Sequence, residues 1–260
     1  MNIYSFDFDG TLLKEHFGKI NENIYSLLNN LLDNGNVVII NSGRPYYILK
    51  KYFIPLKNVN NLFYSIDNGA AIINNDKYIL TKNTDFSDLK ILKKIYKEAS
   101  IFAYGLDDVL YTFDVDEYCV SEQLVNEMEL KQINMEDDLS KIVFLKYLIC
   151  GPKMLLDSYD YDYKSEQYHY IRTKETMVEI MDNDADKVTA IDFVKSLFNN
   201  INNVFVFGDG SNDEDSIKKY CGITFKNGTD NCKRFAKYVS SFDSDQGVVD
   251  AFNNFDLLKY

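Results

Sequence analysis

The run Ile3-Tyr4-Ser5-Phe6-Asp7-Phe8-Asp9-Gly10-Thr11 decides how this chain folds. It alternates and then runs apolar into Asp-Gly, which suits a buried strand ending in a turn. Residues two apart on an extended chain face the same side, so the Asp7 and Asp9 carboxylates can converge on one point beyond the strand. In an open α/β sheet that point is the ligand crevice. Asp-x-Asp alone is weak evidence, because acidic strand ends followed by Gly are also ordinary turn chemistry.

Working outward, Ile20, Ile24, Leu27, Leu28, Leu31 and Leu32 recur at helical spacing, and Gly35 stands where a left-handed cap ends a helix. Val37-Val38-Ile39-Ile40 is a β-branched run of the kind buried on both faces of a parallel sheet, which completes a βαβ unit. Pro45 can begin another helix. Leu62 to Ile66 reads as a third strand, then Asp67-Asn68-Gly69 as a tight turn and a hairpin through Ile72-Ile73 and Tyr78-Ile79-Leu80.

From about Asp85 to Met181 the pattern changes. It predicts a helix carrying Leu89, Leu92, Tyr96 and Ala99, a strand pair around Tyr104 and Tyr111, and a helix from Ser121. A strand from Ile142 to Ile149, a further helix, and strands near Tyr168 to Arg172 and Met177 to Met181 follow. The opening pattern then resumes, with an amphipathic Lys187 to Phe198 and a buried strand, Val204 to Phe207, ending in Gly-Asp-Gly. The expected fold is α/β: a doubly wound, mostly parallel Rossmann-like core from residues 1–84 and 182–260, with an α/β domain at 85–181 inserted between them.

The 260 residues are 46% hydrophobic and 26% charged, a balance that excludes disorder. A net charge of -12 argues against nucleic-acid partners. Cys119, Cys150, Cys221 and Cys232 form no CxxC, and His16 and His169 are too few for a His-based metal site, so the thiols read as idle in a reducing cytosol. No basic segment leads into an apolar stretch at the N-terminus. The longest apolar run, Ile142 to Cys150, is interrupted by Lys146 and falls far short of the roughly 20 residues a membrane helix needs. The expectation is a cytoplasmic protein with no membrane partner; its oligomeric state stays open.

Three features strengthen Asp7-x-Asp9. Ser42-Gly43-Arg44 follows the second buried strand, setting a hydroxyl and turn amides at the same sheet edge, where phosphate oxygens accept hydrogen bonds. Lys187 stands at a helix start just beyond Asp182, Asp184 and Asp186, where the helix dipole disfavours a cation unless it grips an anion. Gly208-Asp209-Gly210-Ser211-Asn212-Asp213 follows the fourth buried strand and adds two acids. The 35 residues from Asp7 to Ser42 suit one βαβ step, whereas the 145 from Ser42 to Lys187 demand an insertion. Four carboxylates meeting at one edge repel one another unless a cation neutralises them, and oxygen ligands without His or Cys point to Mg²⁺.

Asp7-x-Asp9-Gly10-Thr11, Ser42-Gly43-Arg44, Lys187 and Gly208-Asp209-x-x-Asn212-Asp213, in that order, resemble the haloacid dehalogenase-like phosphatases. The mid-chain insert looks like the large cap of their Cof-type subfamily. Asn68-Gly69-Ala70, the Gly222 to Gly228 stretch and Gln246-Gly247-Val248 resemble weaker signatures of that subfamily. There are departures: Val188 follows the lysine where Gly is usual, Lys226-Asn227-Gly228 replaces a Gly-Asn-Ala turn beside the phosphate, and Ile217 stands where Met is common.

The resemblance implies a Mg²⁺-dependent phosphatase acting on sugar phosphates, nucleotides or phosphorylated cofactors. It makes Asp7 the nucleophile that forms an aspartyl-phosphate and Asp9 the acid and base. Gly10, Ser42, Gly43, Lys187 and Asn212 would bind phosphate, and Asp7, Asp9 (through its carbonyl), Asp209 and Asp213 would hold the metal. Each residue also has a plainer reading: turn acids, a Ser42 helix cap ahead of Pro45, a solvated lysine. Arg44 stands between a substrate or cap contact and a surface ion pair. Both His residues read as structural or exposed, Tyr159-Asp160-Tyr161-Asp162-Tyr163 as a solvated helix face, and Glu136-Asp137-Asp138 as a solvated loop. A phosphotransferase or phosphomutase would keep the same acids and pass the phosphoryl group to a sugar; a non-catalytic phosphometabolite-binding protein would be expected to lose Asp7 or Asp9.

Overall fold

The structure, a computed structural model, describes residues 1–14 and 18–255. His16 and the reading made of it lie outside the described residues. Two compact units divide the chain, Met1–Leu80 with Asp186–Tyr260, and Thr81–Ala185. The first begins with β1 (Ile3–Phe6), α1 (Glu22–Asp33), β2 (Val37–Asn41), α2 (Tyr46–Phe53), β3 (Leu62–Ile66), β4 (Ala71–Asn74) and β5 (Lys77–Thr81). The second contains α3 (Phe86–Ile95), β6 (Ser100–Gly105), β7 (Val109–Thr112), α4 (Glu117–Asn126), β8 (Glu129–Gln132), β9 (Phe144–Cys150), α5 (Lys153–Asp157), β10 (Tyr168–Lys174) and β11 (Met177–Asp182). The chain then returns to the first unit through α6 (Lys187–Ser196), β12 (Val204–Phe207), α7 (Glu214–Lys219), β13 (Cys221–Thr224), α8 (Asp230–Phe235), β14 (Tyr238–Val239) and α9 (Ser244–Asn254).

In the first unit the strands lie in the order β14-β13-β12-β1-β2-β3-β4-β5. Winding proceeds outward in both directions from β1, which pairs in parallel with β2 and β12, Ile3 lying opposite both Val37 and Val204. The switch point is therefore the β1–β12 pair, and the chain leaves both strands at the same edge. Every residue of β1, β2 and β12 is buried, as a central strand covered on both faces requires. On one face Ile3, Val37, Ile39 and Val206 pack with Ala190, Ile191 and Val194 of α6. On the other, Phe6 stacks on Phe207 at 4.6 Å between ring centroids, and Phe207 on Phe252 of α9 at 5.4 Å. Asn21 caps α1 by accepting from the Asn23 amide, and Gly35 follows the helix with φ +73°. The β4–β5 hairpin turns at Asn75 and Asp76, both with positive φ.

The second unit is a six-stranded sheet in the order β10-β11-β9-β6-β7-β8, antiparallel except for the β7–β8 pair. Leu89 and Leu92 of α3, with Tyr96 that caps its C-terminus, pack on Ile101, Ala103, Tyr147, Ile149, Val178 and Ile180. Three details differ from the sequence expectation. The helix expected from Ser121 begins at Glu117, because the Asp116 side chain accepts from the Tyr118 and Cys119 amides and starts it a turn earlier. β8 has no counterpart in the sequence pattern: Glu-Leu-Lys-Gln, mostly exposed, lacks an alternation of apolar residues. Tyr159 to Tyr163 is no solvated helix face, since α5 ends at Asp157 and all three tyrosines pack against the core of this unit. Their spacing of two is a strand period, which sets alternate side chains on one side of a non-helical segment.

His169 is half-buried in β10, and the four cysteines are unbridged. Glu136 and Asp138 are exposed, with Asp137 and Asp138 accepting from the Asn134 and Ser140 amides in a loop. No helix among the described residues is long and apolar enough to cross a membrane.

Candidate active site

The site grows from the loops that leave β1 and β12. The Asp7 amide donates to the Phe207 carbonyl at 2.8 Å, so the parallel ladder persists one residue past β1 and Asp7 lies beside the start of the Gly208-Asp209 loop. The turn that follows is closed by Gly10, whose amide donates to Leu13 O and whose φ is +81°. A Cβ at this position would lie 2.4 Å from Asp209 Oδ2, so only glycine lets the two loops approach this closely. Thr11 Oγ1 donates to Asp209 Oδ1 at 3.1 Å.

Lys187 ties the loops together. It is the first residue of α6, capped by Asp186, and is only 3% exposed. Nζ donates to Asp7 Oδ1 at 2.6 Å and to Asp213 Oδ1 at 2.7 Å. Two carboxylates thus offset the unfavourable position of a cation at a helix start. Asp213 Oδ2 accepts from the Asp209 and Gly210 amides at 3.2 and 3.0 Å, which curls the loop after β12 around its carboxylate. Ligand oxygens of Asp7, Asp209 and Asp213 all lie within 4.8 Å of one another. One lysine against three carboxylates leaves the cluster short of positive charge, and an all-oxygen acidic donor set fits a hard divalent cation.

The expected meeting of four carboxylates is a meeting of three. Asp9 sends its carboxylate to Arg44, so its charge is met by a guanidinium. Arg44 is 7% exposed while the Asp9 side chain is 42% exposed, so the pair runs from a buried guanidinium to a carboxylate at the surface. Ser42 is buried; its Oγ accepts from the Arg44 amide at 3.1 Å and does not cap α2, whose N-cap is Pro45. Gly43 abuts Asn68, which donates its amide to Ser42 O at 2.9 Å and accepts at Oδ1 from Asn212 Nδ2, also at 2.9 Å. The loops after β2, β3 and β12 therefore meet beside the acidic cluster.

Charge and burial act on the titratable groups in opposite senses. Burial pushes the Asp7 carboxyl up, with Asp213 and Asp209 adding to the rise and Lys187 pulling it back. Lys187 is held above its usual range despite burial, because Asp213 and Asp7 stabilise its proton. Asp209 is pushed up to about 6, mainly by burial and next by the Asp213 charge.

Several contributors escaped the sequence reading. Asn41, at the end of β2, donates from Nδ2 to Lys187 O at 3.0 Å and accepts from Ser65 Oγ at 2.8 Å, so a buried polar pair holds the backbone that carries the lysine. The sequence signal was an Asn closing an otherwise apolar strand. Asn68 and Asn227 fall in stretches that the family resemblance singles out, but their individual contacts carry no local signal, since Asn is at home in any turn.

A lysine shared by acids from both ends of the chain, at the switch point of a doubly wound sheet, marks the ligand crevice of an α/β fold. Residues 4–252 match the sequence profile of the haloacid dehalogenase-like hydrolases, and the chain belongs to that family. It is 23% identical over 262 residues to the 5-amino-6-(5-phospho-D-ribitylamino)uracil phosphatase YitU of Bacillus subtilis (strain 168), covering 95% of this chain and 94% of that protein. Its fold is similar to that of a protein from Eubacterium rectale, with a TM-score of 0.85, 19% identity and coverage of 98% of this chain and 99% of the other. A haloacid dehalogenase-like hydrolase from Bacteroides thetaiotaomicron superposes with a TM-score of 0.83 at 23% identity, over 97% of this chain and 98% of the other.

Proposed function

We propose that this protein is a cytoplasmic, Mg²⁺-dependent phosphatase that hydrolyses phosphate monoesters of small metabolites through an aspartyl-phosphate on Asp7, with the inserted unit taking the part of the cap. The observation that carries the reading is the shared grip of Lys187 on Asp7 and Asp213, with Asp209 alongside. Membership in a hydrolase family and the phosphatase name of the B. subtilis relative support it.

In the first step an Asp7 carboxylate oxygen attacks phosphorus and the bond from phosphorus to the ester oxygen breaks, while Asp9 gives its proton to that leaving oxygen. In the second, water attacks the phosphorus of phospho-Asp7, Asp9 takes the water proton, and phosphate and the Asp7 carboxylate are released. Lys187 Nζ and Ser42 Oγ donate to phosphoryl oxygens, and the turns at Gly10 and Gly43 border the same position, the Gly10 amide itself being engaged with Leu13 O. Asn212 orients the phosphate edge. Asp7, Asp209 and Asp213, with the Asp9 main-chain carbonyl, would hold Mg²⁺, which when bound neutralises the acids and polarises the phosphoryl group.

The test is Mg²⁺-dependent release of inorganic phosphate from an aryl phosphate, then from a panel of sugar phosphates, nucleotides and phosphorylated cofactor precursors. Asp7→Asn and Asp9→Asn are expected to lose that release by at least about a thousandfold. Full turnover by Asp7→Asn would end the nucleophile assignment. Transfer to a sugar without phosphate accumulation would make the protein a mutase or transferase instead.

A further inference from the structure

Asn227 lies on the turn between β13 and α8, outside every strand and helix, yet its carboxamide is fully engaged. Nδ2 donates to the Gly10 carbonyl and to Asp209 Oδ2, each at 2.9 Å, and Oδ1 accepts from the Ser244 amide at 2.9 Å. One side chain thus joins the loop after β1, the loop after β12 and the first residue of α9. We propose that Asn227 is a positioning residue that sets the plane of the Asp209 carboxylate for a divalent cation; the inference rests on the metal-dependent reading of the site given above.

The geometry argues for this in three ways. Asp209 receives one neutral donor on each oxygen, Thr11 at Oδ1 and Asn227 at Oδ2, which stops rotation of the carboxylate and leaves each oxygen with acceptor capacity toward the acidic cluster. A charged donor in the same place would offset the carboxylate in the cation's stead; a carboxamide does not. Second, the same turn holds the backbone of that residue, the Thr229 amide donating to Asp209 O at 2.9 Å. Third, Asn227 is anchored at its far end by an N–H of the first turn of α9, which the helix itself cannot satisfy. Asn is the residue suited to all three contacts, with two donors and one acceptor on a short stem; Asp would set a carboxylate against Asp209 and the Gly10 carbonyl.

Mn²⁺ serves as the probe, its binding to the full-length protein followed by electron paramagnetic resonance, with Mg²⁺ as competitor. Asn227→Ala, and Asn227→Leu as the shape-matched second variant, are expected to bind Mn²⁺ about ten- to a hundredfold more weakly than wild type, the range seen when the hydrogen-bond partner of a metal ligand is removed. A merely structural turn residue would lower the melting temperature of the metal-free protein without moving the Mn²⁺ affinity of its folded form. Affinity within about twofold of wild type in either folded variant overturns the inference while leaving the phosphatase reading intact. A wild-type protein that takes up no Mn²⁺ overturns both, and phosphate release surviving in Asp7→Asn beside a weakened Asn227→Ala overturns only the nucleophile assignment.

Discussion

The guanidinium of Arg44 meets the carboxylate of Asp9 edge to edge, Nε to Oδ2 at 2.7 Å and Nη2 to Oδ1 at 2.5 Å, while lying 5.1 Å over the Phe8 ring. The Arg44 side chain is 8% exposed and that of Asp9 42%, so the acid reaches outward from a base embedded in the domain. A fork of two parallel donors fixes both the position and the plane of a carboxylate, which a single contact cannot do.

Both Asp9 oxygens accept from Arg44, so to protonate the leaving oxygen Asp9 gives up one arm of the fork, and Arg44 then acts by holding the other and aiming the acid. Arg44→Ala is expected to lower kcat about a hundredfold for alkyl phosphates, whose leaving oxygens need a proton, and far less for aryl esters with good leaving groups. Arg44→Lys, which keeps the charge but not the fork, should fall between. Equal losses across a leaving-group series would remove Arg44 from this part.

Gly10→Ala places a methyl group 2.4 Å from Asp209 Oδ2 at a φ of +81°. The backbone conformation and the overlap together should cost on the order of 1–3 kcal/mol, and the displaced Asp209 should weaken Mn²⁺ uptake. Gly35→Ala, also at positive φ but with nothing near its Cβ, is the control: a smaller loss of stability, read by thermal melting, and unchanged metal binding.

The raised pKa of Asp209 ties stability to pH in a definite sense. Its ordinary value of 3.8 rises to about 6 in the fold, so between those limits the native state binds more protons than the unfolded chain. The contribution is fully present below about pH 3.8 and is lost as pH rises through 6. Metal-free wild type should therefore lose stability from this group over that window, Asp209→Asn should not, and Mg²⁺ should reverse the loss above pH 6. Urea unfolding at stepped pH, with and without Mg²⁺, measures all three.

In the second unit Asp88 is fully buried and accepts from Tyr163 Oη at 2.7 Å, Tyr168 Oη at 2.6 Å and Lys164 Nζ at 2.8 and 2.9 Å. Asp88→Ala leaves two tyrosine hydroxyls without their acceptor and should cost about 2–4 kcal/mol in denaturant unfolding, whereas Asp88→Asn keeps an acceptor and should cost less.

The strands of the core were readable because a β-branched run and a period of two are local properties, and the chain declares them without reference to what packs on it. Asp7, Ser42 and Asp209 each follow such a run, so their common edge came with the topology. Lys187 was legible for a different reason, as a cation in a place that helix electrostatics disfavour. The misreadings also have local causes. Asp116 starts α4 earlier than the apolar pattern does, β8 carries no alternation, and the Tyr159 to Tyr163 run, expected as a helix face, has the period of an extended segment.

What the chain by itself determined is the order of elements and the identity of the polar residues where buried strands end, since both follow from side-chain chemistry within a few residues. The tertiary structure alone decided that Lys187 joins Asp7 across 180 residues, that Asp9 turns away to Arg44, and that Asn227 reaches Gly10 across 217. Those partnerships depend on which loops are brought within about 3 Å of one another, and on which rotamer leaves each buried carboxylate with a donor. No spacing along the chain encodes that distance.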